Sequence, residues 1–309
     1  MNDKAYDLII IGAGPAGLTA SIYASRYRLR HLIISANLGG TIAWAHKVEN
    51  YPGFLSISGI ELSQKLVKHA QSLGAEIQNQ EVISIEKSDE NFFLVKTNQN
   101  QSYQTKTIII ATGTKRRKLN IPGEEKFLGR GVSYCATCDA AFYQDKTIAV
   151  VGGANASCSG ALYLTKFAQK VYLIYRRDKL RAMPIRVEQI QQNSKIEIIY
   201  QTNVTEIIGH QVVEKIKLDK KYRGKDFLTV DGIFIEIGGV PQANLAQNLN
   251  LETDQQSYIK TDKNMTTNVE GIFCAGDIND QQKQLQQAIT AASEGATAAQ
   301  SVYQYLGKL

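Results

Sequence analysis

Cysteine is scarce, with four in 309 residues, too few for a disulfide-stapled secreted scaffold. Only Cys135 and Cys138 are paired by spacing; Cys158 and Cys274 read as buried packing residues. The histidines, His31, His46, His69 and His210, are scattered, so a structural zinc site lacks the second close pair of ligands it needs. Long apolar runs are missing too. Met1 leads through Asp3, Lys4 and Asp7 into a short apolar strand, without the hydrophobic stretch of a signal peptide or membrane span. The expected location is the cytoplasm, with no membrane partner. The formal net charge of +6 is spread along the chain except at Lys115-Arg116-Arg117-Lys118, which favours a solvated surface over a nucleic-acid face. That one cluster could receive an acidic protein or a cofactor phosphate.

What the chain does have is length for two ordinary domains and a pattern that occurs twice. Tyr6 to Ile11 is an apolar β-rich run, followed by Gly12-Ala13-Gly14-Pro15-Ala16-Gly17, a helical stretch from Leu18 to about Tyr27 and a strand from His31 to Ser35. Thr147 to Val151 restarts it, with Gly152-Gly153-Ala154-Asn155-Ala156-Ser157 as the turn, a helix through about Phe167 and a strand from Lys170 to Tyr175. Between them the sequence predicts an amphipathic helix over Gly59 to Gly74 and short strands over Glu81 to Glu86, Phe92 to Thr97 and Ser102 to Thr105. A buried parallel strand, Thr107 to Ala111, ends at Thr112-Gly113, where the backbone can approach a cofactor closely. Lys115 to Asn120 reads as a crossing between domains and Ala243 to Gln247 as the return. Gly271 to Asp277 is another apolar strand ending in Gly-Asp, followed by a small-residue-rich helix from Gln286 to Leu306. The expected fold class is α/β, with two Rossmann-like three-layer nucleotide-binding domains. The second (118–245) is inserted into the first (1–117 and 246–309).

Each glycine-rich turn carries a phosphate-binding argument. Gly12 suits the tight turn, Gly14 the close approach of a pyrophosphate and Gly17 close helix packing, while the helix N-terminus favours the anion. Ser35 replaces the acidic residue expected on a ribose hydroxyl and can still hydrogen-bond. In the second turn Gly152 is kept, Ala154 stands at the close-approach position and Ser157 at the third. The next strand ends in Arg176-Arg177, with Arg181 one helical turn on; guanidinium groups suit a 2′-phosphate, so NADP is favoured over NAD if a nicotinamide binds.

Cys135-Ala136-Thr137-Cys138-Asp139 lies between the two turns. Two cysteines at this spacing can close a small disulfide ring and reopen it by two-electron exchange. Gly129 and Gly131 argue for a turn into a helix start, where the dipole would stabilise a thiolate. Asp139 could supply or remove the proton. The alternative is a pair of reduced core thiols.

Taken together, Gly12 to Gly17, Val48-Glu49-Asn50-Tyr51-Pro52-Gly53, Ala111-Thr112-Gly113, Cys135 to Asp139, the arginine-bearing second unit and Gly276-Asp277 resemble the low-molecular-weight thioredoxin reductases over nearly the whole chain. The resemblance implies a homodimer with FAD in the discontinuous domain and NADPH in the inserted one, which rotates to exchange dithiol and nicotinamide at the flavin. It implies that Cys138 is the sulfur nearest the flavin, Cys135 the nucleophile toward a thioredoxin-like partner and Asp139 the acid/base. Gly12, Gly14, Gly17, Asn50, Thr112, Gly276 and Asp277 would contact FAD, with Gly113, Gln287 and Ala288 close by; Arg176, Arg177 and Arg181 would bind the 2′-phosphate beside Gly152. Three departures stand out: Ala154, Tyr175 in place of a histidine, and Gln286 in place of an arginine. Members that take electrons from ferredoxin have degraded nicotinamide motifs, so ferredoxin is the alternative donor, with Arg116, Arg117 and Lys118 as its landing area. A flavin redox sensor without turnover and a small-molecule dithiol oxidase are the rival readings.

Overall fold

The computed structural model describes residues 5–45, 47–88, 92–283 and 285–307, so His46 lies outside the described residues. In chain order, β1 (Tyr6–Ala13), α1 (Pro15–Arg26) and β2 (His31–Leu38) are followed by α2 (Gly59–Ser72), β3 (Glu76–Gln78), β4 (Val82–Lys87), β5 (Phe93–Thr97) and β6 (Ser102–Ile110). After β7 (Thr114–Arg116) come β8 (Val132–Ser133), the one-turn α3 (Ala136–Asp139), β9 (Thr147–Val151), α4 (Asn155–Leu164), β10 (Lys170–Ile174) and α5 (Pro184–Gln192). Next are β11 (Ile196–Ile199), β12 (Val204–Gly209), β13 (Val213–Tyr222), β14 (Lys225–Thr229) and β15 (Gly232–Ile235). The chain closes with β16 (Gly239–Pro241), α6 (Asn244–Asn248), β17 (Ile272–Cys274) and α7 (Ala288–Leu306).

These elements form two units, Met1–Lys115 with Val240–Leu309, and Arg116–Gly239. The sequence puts the return crossing at 243–247. In the structure those residues belong to the first unit, because Leu245 and Ala246 of α6 are buried in its core beside Ile9 and Ile272.

In the first unit the sheet order is β3-β2-β1-β6-β5-β4, with β17 also pairing β6. Ile10 sits between Ile33 and Ile109 in parallel register. Successive side chains of β1 go to opposite faces: Leu8 and Ile10 pack with Leu18, Phe273 and Ala298 under α1 and α7, whereas Ile9 and Ile11 pack with Ile272 and Leu249. Coverage on both sides is why this strand is apolar throughout rather than alternating. The predicted break between Ser102–Thr105 and Thr107–Ala111 is absent. β6 pairs antiparallel with β5 at one end and parallel with β1 and β17 at the other, while Lys106 stays exposed and reaches Asp7 at 3.0 Å.

In the second unit the parallel sheet runs β11-β10-β9-β15-β8, and β12-β13-β14 form a separate antiparallel meander. One face of the parallel sheet buries Val150, Leu173 and Phe234 against Cys158 and Ala161 of α4. The other buries Val151, Ile233 and Ile235 against Ile207, Ile216 and Leu228 of the meander. Cys158 and Cys274 are therefore core residues, as their lack of a close partner in sequence suggests; burial pushes the Cys158 thiol up to about 11.

Candidate active site

Gly12 turns the chain with φ at +114°, and a side chain there would place its Cβ 2.3 Å from the Ala111 carbonyl oxygen. A Cβ on Gly17 would lie 1.9 Å from the Gly12 oxygen, so that glycine sets how closely α1 approaches β1. Gly14 differs: an added Cβ would only touch Gly40 Cα, at an ordinary contact distance of 3.9 Å, beside the start of α1. Gly14 caps that helix in extended conformation without a side-chain hydrogen bond, so first-turn N–H groups are free for an outside acceptor. The opposite wall is Gly39-Gly40, both at positive φ, a pair directly after β2 that belongs to no phosphate-binding fingerprint.

The distant Gly276-Asp277 segment returns to this turn. A Cβ on Gly276 would come within 2.9 Å of Ala16. Its N–H donates to Glu294 at 2.7 Å, and Asn279 Nδ2 donates to the same carboxylate oxygen at 2.7 Å. Glu294 Oε1 is buried with no hydrogen-bond partner among the described residues, and desolvation raises this carboxyl's pKa. Burial likewise pushes Asp277 up to about 6. A buried acceptor without a protein donor is suited to the hydroxyls of a ligand. Gln286, in the place of the family arginine, donates to the Asp277 carbonyl at 3.2 Å. Asn50 Nδ2 donates to Gln287 Oε1 at 2.7 Å, joining two segments 237 residues apart. Gln287 caps α7 and Ala288 opens it. Thr112 and Gln242 exchange two hydrogen bonds, and Gly113 takes φ +64°. Ser35, in β2, turns its hydroxyl onto Asn37.

The second turn is tighter. Gly152 has φ +144° and abuts the Glu236 carbonyl, while a Cβ on Gly153 would meet the Tyr175 ring at 2.4 Å. Ser157 accepts the Ala154 N–H at 2.9 Å and donates back to the Ala154 carbonyl at 2.8 Å, so one donor of this turn is already spent. Arg176, Arg177 and Arg181 are exposed. Arg181 Nε donates to the Tyr175 hydroxyl at 3.0 Å, and its backbone N–H donates to Gly153 at 2.7 Å. Tyr175 therefore fills the space beside the turn and holds one of the three guanidinium groups.

Cys135 and Cys138 are joined in a disulfide. Cys135, in extended conformation, caps α3, and its Sγ accepts the Cys138 N–H at 3.2 Å. Ser133 Oγ accepts the Cys135 N–H at 3.0 Å. Gly129 and Gly131 take φ of +72° and +117° to make the turn. The expected dipole contribution is small, since α3 is a single turn and few peptide units align; the local N–H is the donor instead. Cys138 is exposed and Cys135 half-buried. Asp139 closes the same turn, its N–H donating to the Cys135 carbonyl at 3.2 Å.

The basic cluster is largely engaged. Arg116 is paired with Glu236 at 2.6 Å, Lys118 with Glu125 at 2.9 Å, and Arg117 donates to the Gly239 carbonyl at 3.3 Å. Arg116, Arg117 and Lys118 thus each have a partner within the chain. Among the described residues no helix is long and apolar enough to cross a membrane, and no three His, Cys, Asp or Glu side chains gather as a metal site.

Comparison with known proteins agrees with this arrangement. Residues 6–295 match the pyridine nucleotide-disulphide oxidoreductase model. A thioredoxin reductase of Bacillus subtilis is 42% identical over 310 aligned positions, covering 99% of this chain and 96% of that protein. The crystal structure of Lactococcus lactis thioredoxin reductase superposes with a TM-score of 0.93 at 39% identity, covering 98% and 100% of the two chains. The crystal structure of T. acidophilum thioredoxin reductase gives 0.91 at 33% identity, covering 98% and 99%. The chain thus belongs to the pyridine nucleotide-disulphide oxidoreductase family, among its thioredoxin reductases.

Proposed function

We propose that the protein is an FAD-dependent reductase that carries electrons from NADPH through the Cys135–Cys138 dithiol to the disulfide of a thioredoxin-like protein. The observation that carries this is the closed Cys135–Cys138 pair on a one-turn helix, in a chain similar end to end to thioredoxin reductases. FAD fits the first unit: the start of α1 at Gly14 has no side-chain cap on its first-turn N–H groups, and half-buried Asp277 offers a carboxylate acceptor. Gly12 and Gly17 belong to the same turn. Ser35, Asn50, Thr112, Gly113, Gly276, Gln287 and Ala288 complete that proposed site. NADPH is assigned to Gly152, Arg176, Arg177 and Arg181, whose exposed guanidinium groups suit a 2′-phosphate. A homodimer in the cytoplasm belongs to the same proposal.

Bound FAD supplies a two-electron reduction of the disulfide. The protein's own part begins once both thiols are free. Asp139 holds the proton exchanged with the dithiol, and the Cys138 N–H steadies negative charge on Cys135. The Cys135 thiolate attacks one sulfur of the partner disulfide, forming a mixed disulfide and releasing one partner thiol. Cys138 then attacks Cys135, which restores the internal disulfide and releases the second thiol. Of the two residues Cys138 is the more exposed; Cys135→Ser should abolish turnover with thioredoxin, and full turnover in that variant would overturn Cys135 as the interchange thiol.

An anaerobic titration of the purified flavoprotein with NADPH, NADH and reduced ferredoxin, followed by turnover with thioredoxin, tests the reading. Rapid flavin reduction by NADPH and sustained thioredoxin reduction are expected. Reduction by ferredoxin with neither nicotinamide active would overturn the donor, and a reaction that stops after one equivalent would overturn the enzyme in favour of a sensor.

A further inference from the structure

Glu294 is a carboxylate on α7, only 6% exposed, that the dithiol relay leaves unused. Its Oε2 accepts two donors at 2.7 Å each, the Gly276 N–H and Asn279 Nδ2, and Asn279 is itself buried. Both donors come from the turn that follows β17. That turn also closes on itself, the Asn279 N–H donating to the Gly276 carbonyl at 3.0 Å and the Gln281 N–H to Asn279 Oδ1 at 2.8 Å. Asp277 lies between the two anchored residues, and its carbonyl accepts Gln286 Nε2 at 3.2 Å. Its backbone is therefore held, while its carboxyl makes no such bond to α7.

Gly295, the next residue of α7, fixes a second contact. A Cβ there would fall 2.1 Å from the Ala16 carbonyl oxygen, and a Cβ on Gly276 would lie 2.9 Å from Ala16 Cβ, so α7 and the turn both meet the first turn of α1 at distances that only glycine permits. Glu294 and Gly295 thus touch both halves of the proposed flavin site, the start of α1 and the 276–279 turn. A turn held in its bound shape spares the complex the cost of ordering it, and affinity falls in proportion to the time the turn spends out of place.

We propose that Glu294 is a positioning residue for FAD: it locks the 276–279 turn onto α7 and so presents Asp277 to the flavin in a fixed place, a role that rests on the flavin site proposed above. What the turn requires is an acceptor at the place of Oε2 rather than a charge. Oε1 is buried with no hydrogen-bond partner among the described residues, so a glutamine can put its oxygen at the Oε2 position, keep both bonds and leave its amide nitrogen where Oε1 stands. An aspartate keeps the charge on an arm about 1.5 Å shorter, which takes both donors out of hydrogen-bond range.

The test dilutes the holoenzyme in steps and reads free-flavin fluorescence, which gives the FAD dissociation constant, and follows hydrogen exchange in the 275–281 peptide. Glu294→Ala should raise the dissociation constant by roughly tenfold to a hundredfold, as for a turn in place a tenth to a hundredth of the time, and should speed that exchange. Glu294→Asp should resemble it. Glu294→Gln should stay within about fivefold of the unmodified protein, the difference between a charged and a neutral acceptor. An unchanged dissociation constant in folded Glu294→Ala, even beside a lower Tm, marks a merely structural side chain and overturns the inference; so does a Glu294→Gln loss as large as that of Glu294→Ala. If Glu294→Ala does not fold, the other two variants decide: Glu294→Asp should bind FAD at least about fivefold more weakly than Glu294→Gln, and equal binding overturns the inference. Failure of the flavin site is separable. An unmodified chain that takes up no FAD would sink that site, whereas normal FAD binding in the unmodified chain beside equal binding in the variants would sink only the role of Glu294.

Discussion

The two glycine-rich turns share a backbone plan and differ in what they leave open. Both begin with a glycine at strongly positive φ whose Cβ would fall 2.3 Å from a neighbouring carbonyl oxygen. In the first turn an added Cβ on the next motif glycine would make only an ordinary contact with Gly40, and no side chain caps the helix. In the second, Ala154 takes that place, Ser157 accepts its N–H and the Tyr175 ring lies on Gly153. Strand-turn-helix geometry is thus a requirement of the fold, while the capacity to take an anion depends on how many donors the turn keeps unspent.

The largest effect should come from breaking the plan on one side only. Gly12→Ala forces a left-handed backbone and a clash with Ala111, so flavin content on purification should fall by a hundredfold or roughly that, and turnover with it. Gly152→Ala meets an equal clash in the other unit and should keep its flavin absorbance while losing NADPH-driven reduction. Flavin loss in both variants would show that the turns are not functionally distinct.

The arginines come next. Arg176→Ala or Arg177→Ala should each lower kcat/KM for NADPH by about tenfold to a hundredfold, the equivalent of roughly 1.5–3 kcal/mol for a charge-assisted bond, with NADH scarcely affected. Equal loss with both nucleotides would remove the 2′-phosphate from the argument. Tyr175→Phe deletes only the hydroxyl that holds Arg181 and should raise the KM for NADPH roughly twofold to tenfold, in line with one modest hydrogen bond.

A titration separates the first turn from the second without nucleotide chemistry. Burial raises Asp277 to about 6 from an ordinary 3.8, so in flavin-free protein the native state binds the proton more tightly than the unfolded chain does. The sign follows: this carboxyl's contribution is intact below about pH 4 and declines as pH rises through about 6, by a few kcal/mol at most. Asp277→Asn should flatten that part of the stability profile, measured as Tm of the flavin-free protein between pH 4 and 7. A profile unchanged by the substitution would show that Asp277 is not held in a desolvated site.

Much of this was legible along the chain because periodicity and glycine spacing are local properties. The apolar runs at Tyr6–Ile11 and Thr147–Val151 become central strands covered on both faces, and Cys135 and Cys138 close their ring without help from distant residues. The one-turn length of α3 and the identity of Cys138 as the exposed cysteine were not legible, since both depend on what packs around that turn.

The sequence by itself determined the two βαβ units, the dithiol and the family pattern, for each lies in a few consecutive residues whose spacing carries the chemistry. Only the tertiary structure decided that Glu294 holds Gly276, that Asn50 meets Gln287, that Tyr175 occupies the second turn and that Arg116 meets Glu236. Those contacts join residues far apart in the chain, and a buried polar group can choose its partner only after the sheets have fixed which backbone groups lie within reach.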